Sequence, residues 1–274
     1  MPVIAMNQEM GSLGKDVAQA LAEELGLAQV THEVVDHVAE KMQTRKSLIR
    51  RVMEGKAGIL DRMSTNSRSV STYVAEEVFE LAERGNIIIR GWGATYLLRS
   101  IPHIPCVRVC ASMESRVAWM MRRLDTDDEE LVRAELRRSD AAHTHNMNVR
   151  FGVTWGDPLL YDLVLNTDRI SVAGCVEQIK TLLALPEFRE TPESRRQLAN
   201  AALEAHVRAA LRSDEETAHV NVSIIACDGD VQLEGVVVDE AERKAAERVV
   251  RAVKGVKSVE VSLKQISARM RDGE

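Results

Sequence analysis

The chain is 274 residues long, with 45% hydrophobic, 28% charged and only 3% aromatic residues. At roughly 150 residues per domain, that length suggests about two domains, each able to bury its own core without a disulfide or metal. The formal net charge of −6 argues against nucleic-acid coating, the few aromatics argue against base-stacking platforms, and no apolar run approaches the about 18 residues of a membrane span.

The chain opens on an apolar strand, Val3 to Met6, followed by a polar turn with glycines from Asn7 to Gly14. Val17, Ala18, Leu21, Ala22 and Leu25 then recur at helical spacing, and Gly26 ends that helix. Helical stretches are expected over about 31–42, 46–54 and 73–84, with the small polar run at 64–72 read as loop or helix cap. Ile87, Ile88 and Ile89 form a continuous β-branched run, as a strand buried on both faces would. Gly91-Trp92-Gly93 is a tight loop before a short helix that runs to about Arg99. A second buried strand covers Val107 to Cys110, helices cover about 113–124 and 128–148, a last strand covers Leu160 to Leu165, and a helix runs from Ser171 to about Leu185. Strands alternating with helices imply an α/β domain built on a parallel sheet with helices on both faces.

Residues 186–196 carry two prolines and dense charge and read as linker. The expected division is a first domain over 1–186, a linker over 187–194 and a second domain over 195–274. The second reads α-β-β-α-β: a helix over about 193–212, alternating Val220, Val222 and Ile224, a turn at Asp228-Gly229, a return strand from Val231 with a possible bulge at Gly235, a helix opened by the capping box Asp239 to Glu242, and a final strand from Val256 to Leu263. This is a small α+β module.

A strand, a glycine loop and a helix suit a phosphate cradle, because loop and helix N–H groups converge on one place. Gly11 and Gly14 would let the backbone approach closely, and Lys15 would set a positive charge at the phosphates. Against the pattern G-x-x-x-x-G-K-[ST], Glu9 stands at the first glycine and Asp16 at the hydroxyl position. An ordinary strand–helix turn is the competing reading. Asp16 could hold Mg²⁺, or could simply favour the helix dipole. The arginines between 122 and 150, interleaved with acids, fit either a solvated helix or a lid that closes on phosphates. His143 with His145, and His32 with His37, are candidate metal pairs without convincing partners, and packed or surface histidine is the simpler reading. Cys106, Cys110, Cys175 and Cys227 show neither C-x-x-C nor zinc spacing, so free thiols are expected. The N-terminus lacks a secretory pattern, so a cytoplasmic protein is expected.

The stretch IAMNQEMGSLGKDVAQALAEELG resembles the opening of the cytidylate kinase-like family of P-loop kinases, whose members read like I-S-R-E-x-G-S-G-G-R before a helix. LAERGNIIIRGWGATYLL is similar to the family's second strand and loop, and RFGVTWGDPLLYDLVLNTDRIS to its F-G-x-x-W-x-D-P-x-x-Y-D-L-V-L-N-T-D motif. The resemblance implies a P-loop kinase-like fold with ATP and Mg²⁺ as cofactors and a nucleoside monophosphate, CMP-like, as acceptor. By it, Gly11, Ser12, Gly14 and Lys15 would cradle ATP phosphates with Asp16 as the metal carboxylate. Lys15, Arg137 and Arg138 would be catalytic, and Glu33, Arg90, Trp92, Asp140 and His143 would line the acceptor site. Asp168 falls in the last motif without an evident role.

The departures concern charge. The family shows Asp-Arg or Asp-Lys before Glu, where this chain has Thr31-His32-Glu33; Gly-Arg-Gly or Gly-Arg-Cys, where it has Gly91-Trp92-Gly93; and Asp-x-x-Arg in the lid, where it has Asp140-x-x-His143. Weak turnover with CMP follows, or alternatively a catalytically impaired nucleotide-binding regulator. Residues from about 195 to 266 resemble a BON domain through Gly229-Asp230-Val231-Gln232-Leu233-Glu234-Gly235 and the run Val253 to Val259. That resemblance implies a site for a small ligand or protein, and the chain could form a homo-oligomer.

Overall fold

The computed structural model describes residues 2–30, 33–53, 67–91 and 93–265. The chain divides into two compact units, Met1–Ser194 and Arg195–Glu274.

In the first unit, strands β1 (Val3–Gln8), β2 (Ala28–Val30), β3 (Ile87–Arg90), β4 (Cys106–Cys110) and β5 (Leu163–Asn166) form one sheet in the order β2-β3-β1-β4-β5. Every pairing is parallel. Ile87, Ile88 and Ile89 are all buried, as helices on both faces require. One face carries α1 (Gly14–Leu25) and α8 (Val172–Ala184): Ile4, Met6, Val107, Val109 and Leu165 pack there against Val17, Leu21, Val176 and Ile179. The other contacts α4 (Ser67–Arg84) and α5 (Ala94–Leu97), while α2 (Glu33–Lys41) and α3 (Lys46–Met53) pack near α4. Helices α6 (Met113–Leu124) and α7 (Glu129–Phe151) form a hairpin around Val117, Met120, Val132 and Leu136. Because β3 lies on one side of β1 and β4 on the other, the strand order reverses at the carboxyl end of β1, where open α/β sheets form their crevice.

Several expectations are corrected. Helix begins at Ser67, within the run read as loop, because Val70, Thr72 and Tyr73 are buried and tertiary packing outweighs the weak propensity of serine and threonine. Residues 64–66 lie outside the described part. The last strand starts at Leu163, since Asp157 and Pro158 set a 3₁₀ turn over Pro158–Leu160. Part of the expected linker is ordered, since Pro186–Phe188 is a 3₁₀ turn; α9 (Pro192–Ser213) begins where the helix from about 193 was expected. Thr191 accepts from the Ser194 N–H at 3.1 Å, as an N-cap should.

In the second unit, β6 (Val222–Cys227) and β7 (Asp230–Val237) pair antiparallel, and β8 (Ser258–Gln265) joins β7 in parallel after α10 (Glu240–Arg251). The core joins Leu203, Val207 and Leu211 of α9 to Val222, Ile224, Val231 and Leu233 of the sheet and Ala246, Val249 and Val250 of α10. Asp228 and Gly229 both have positive φ, the two-residue hairpin geometry. The expected bulge at Gly235 is absent, as register runs unbroken from Val222↔Gly235 to Cys227↔Asp230. A Cβ at Gly235 would lie 3.1 Å from Val222 Cγ1, so the glycine serves close approach.

Candidate functional site

Long helices of the described chain have conventional side-chain N-caps: Ser112, Asp128, Ser171, Thr191 and Asp239 each accept from a backbone N–H. Helix α1 does not. Its N-cap is Leu13, left-handed at φ 58°, with no side-chain capping bond. The first N–H groups of α1 therefore point from the loop without an intrahelical acceptor, at the positive end of the helix dipole. Gly14 permits this close turn, since a Cβ there would sit 2.6 Å from Gln8 Cβ. Lys15 and Asp16 are exposed on the first turn, and Lys15 makes no hydrogen bond or ion pair among the described residues.

A buried charge network sets the loop. Arg108 of β4 donates to Glu9 Oε1 at 2.7 Å, and Glu9 also accepts from the Ala111 N–H at 3.3 Å. Arg116 of α6 donates through Nε to the Met10 carbonyl at 2.7 Å and forms a fork with Asp140 of α7 at 2.9 and 2.7 Å. Both guanidiniums are almost wholly buried. Gly11, at φ 85°, lies against Arg116, where a Cβ would come within 3.2 Å of its Cα and carbonyl. The Ser12 hydroxyl donates inward to the Glu9 and Val109 carbonyls, leaving the loop backbone as the surface offered to a ligand.

Beside the loop lies a cavity of about 320 Å³, walled by Gln8, Met10, Arg90, His143, Arg150, Phe151 and Trp155. Arg90 closes β3, and its buried Nε has no partner among the described residues. Burial pulls its guanidinium below the usual arginine value, with the Asp16 carboxylate acting the other way. Arg150 donates to the Val52 carbonyl at 3.0 Å, and burial lowers its pKa too. Trp155 donates through Nε1 to Asn7 Oδ1 at 3.0 Å, with the Arg108 guanidinium over its ring at 4.3 Å from the centroid and the His143 ring stacked on it at 5.1 Å. Phe151 explains Gly93: a Cβ there would meet its ring at 2.8 Å.

The structure thus brings Gly11, Ser12, Gly14, Lys15 and Asp16 to one turn, and Arg90 and His143 to one cavity. Asp140 points elsewhere than expected, toward Arg116, and supports the loop. Arg137 and Arg138 are exposed on other faces of α7 from the Ser139–His143–Arg150 face that lines the cavity, and Arg138 pairs with Glu135 at 3.0 Å. Trp92, Thr31, His32 and the Glu33 side chain lie outside the described residues. Sequence reasoning missed Arg108, Arg116 and Trp155 as site members and included Arg150 only among the lid arginines. Asp168 accepts from the Ser112 N–H at 2.8 Å, tying the end of β5 to the start of α6. The Ser115 and Ser112 hydrogen bonds hold its carboxyl below the usual range. Among the described residues no three His, Cys, Asp or Glu side chains gather as a metal site, and no helix is long and apolar enough to cross a membrane.

Residues 3–169 match the family model described as the cytidylate kinase-like family, and residues 199–266 match that of the BON domain. No curated protein matches the sequence. An uncharacterized protein from Eubacterium ventriosum superposes with a TM-score of 0.53 at 19% identity, covering 67% of this chain and 98% of its own. Shikimate kinase from Bacteroides thetaiotaomicron gives a TM-score of 0.41 at 14% identity over 67% of this chain and 99% of its own. At 19% identity the likeness to the Eubacterium protein is one of fold alone.

Proposed function

The chain belongs to the cytidylate kinase-like family through residues 3–169, and on that premise we propose that it transfers the γ-phosphoryl group of ATP to a small acceptor held in the cavity beside α7. The observation that carries this reading is the uncapped start of α1, with its glycine turn and unpartnered Lys15, opening next to a cavity with two arginines on its wall. Backbone N–H groups and Lys15 bind the phosphates, because both supply positive potential at one point. Arg90 and Arg150 draw an anionic acceptor, and the Arg108–Glu9–Arg116–Asp140 network holds the loop in shape. Catalysis of this kind is positioning and electrostatics.

Asp16 suits Mg²⁺ as a single carboxylate beside phosphates that supply the remaining oxygens, the way this ion is commonly held in kinases. When bound, the ion would neutralise phosphate charge. CMP is proposed to be a poor acceptor, because His143 stands where the family's lid pattern has arginine and an imidazole offers no bidentate fork. The C-terminal unit is assigned to binding, of a small ligand or a protein, and not to chemistry.

The test is to incubate the full chain with ATP, Mg²⁺ and each candidate acceptor and to follow ADP, with ATP affinity measured by calorimetry. Lys15→Ala should weaken ATP binding by more than about tenfold, the equivalent of about 1.4 kcal/mol. Unchanged affinity places the phosphates elsewhere. ATP binding without ADP from any acceptor would instead favour the nucleotide-binding regulator.

A further inference from the structure

We propose that the acceptor is a small anion phosphorylated on a hydroxyl group, with His143 Nε2 taking the hydroxyl proton. The proposal rests on the phosphotransferase reading above and names the acceptor class at that same site.

The argument starts from the histidine tautomer. His143 Nδ1 lies 2.8 Å from the Ser139 carbonyl oxygen. A carbonyl only accepts, so the ring proton sits on Nδ1, and Nε2 of the neutral ring carries a lone pair. Stacking on Trp155 fixes the ring plane, and the Arg108 guanidinium packs on the same indole. The ring stands on the cavity wall, and Nε2 has no partner among the described residues. It is also one helical turn beyond Asp140, whose fork with Arg116 reaches the Met10 carbonyl of the phosphate loop. The imidazole is therefore on the side of α7 that faces the loop.

A lone pair presented to a cavity selects for a donor. Phosphate oxygens of a nucleoside monophosphate dianion have no proton to give, and an arginine, all donor, would suit them; a hydroxyl group has the proton that Nε2 can accept. Gln8 Oε1 is buried against Gly14 without a partner among the described residues. The cationic groups on the wall are the Arg90 and Arg150 guanidiniums. Together with His143 Nε2 they call for a ligand with a hydroxyl at one end and a carboxylate or phosphate at the other. The volume of about 320 Å³ suits a small molecule.

In the transfer, the acceptor O–H bond breaks and its proton goes to the Nε2 lone pair. The acceptor oxygen bonds to the γ-phosphorus, and the bond from that phosphorus to the bridging oxygen breaks, its electron pair leaving with ADP. The imidazolium then releases the proton to solvent.

The test measures ADP release by the full chain with ATP and Mg²⁺ across hydroxy acids such as glycerate, hydroxylated phosphates such as glycerol 3-phosphate, and the nucleoside monophosphates. The first two arms separate a carboxylate from a phosphate as the anionic end. At least one hydroxyl-bearing acceptor should react, His143→Ala and His143→Gln should each slow it by about 10²-fold or more, and free imidazole should restore part of the rate in His143→Ala but not in His143→Gln. Melting curves establish that the variants fold, and the isosteric His143→Gln serves if His143→Ala does not. Turnover confined to monophosphates overturns the proposal and leaves the phosphotransferase standing. So does a hydroxyl acceptor whose rate is indifferent to both variants. Absence of ATP binding, or ATP binding without ADP from any acceptor, overturns the phosphotransferase reading itself and this proposal with it.

Discussion

The cysteines show how strongly position governs the chemistry of one residue type. Cys106 is buried, and burial together with the nearby Asp162 carboxylate pushes its thiol up to about 12. Cys110 and Cys175 are also raised, chiefly by burial. Cys227 is exposed at the end of β6. Because the thiolate is the nucleophile, a raised pKa removes the reactive form. Iodoacetamide at about pH 8 should label Cys227 first, with Cys106 silent until the protein unfolds, which peptide mass mapping can read. Early labelling of Cys106 would mean that the start of β4 opens in the native state. The sequence supports four free thiols but contains nothing that ranks them, since the ranking is set by neighbours distant along the chain.

At the scale of elements, the Asp140–Arg116 fork ties α7 to the phosphate loop, with Arg116 in turn holding Met10. Removing one partner leaves a buried guanidinium short of acceptors, and hydrogen bonds to charged groups are worth about 1.5–3 kcal/mol. Asp140→Ala should lower stability by about that amount in denaturant titrations and should weaken ATP binding, since the loop loses its brace. Loss of stability with undiminished affinity would show that the loop keeps its shape alone. What was legible here, and what was not, follows from range. The β-branched run at 87–89 and the glycine turn at 11–14 announce themselves through local pattern. The partnerships of Glu9 with Arg108, 99 residues away, and of Met10 with Arg116, 106 away, have no local signature. The lid arginines are a different case. Spacing of three and four from His143 picks out Ser139, Asn146, Met147 and Arg150 as one face of a helix, so Arg150 was readable, whereas Arg137 and Arg138 were chosen by charge alone.

At the scale of the whole molecule, the division between Ser194 and Arg195 separates two cores with different sheet types, one parallel and one mixed. Each core has its own helices and strands, which is the condition for independent folding. A chain ending at Ser194 should melt cooperatively and retain ATP binding, and the full chain should show separable calorimetric transitions. An insoluble or non-binding truncation would mean that the second unit completes the first. The change in strand pattern was legible along the sequence, and so was a helix from about 193; the 3₁₀ turn at Pro186–Phe188 was not, because prolines and charge serve a turn as readily as a flexible stretch.

The stack of His143, Trp155 and Arg108 also has an optical consequence. An indole stacked with an imidazole and lying under a guanidinium emits light that responds to a change in either neighbour. Trp155 is buried in the wall of the cavity, so the chain carries its own chromophore at the place where an acceptor would bind. With Trp92→Phe and Trp119→Phe silencing the other two tryptophans, the remaining emission should shift in wavelength or intensity as the cavity fills. A spectrometer could then follow occupancy directly, without a label and without waiting for turnover.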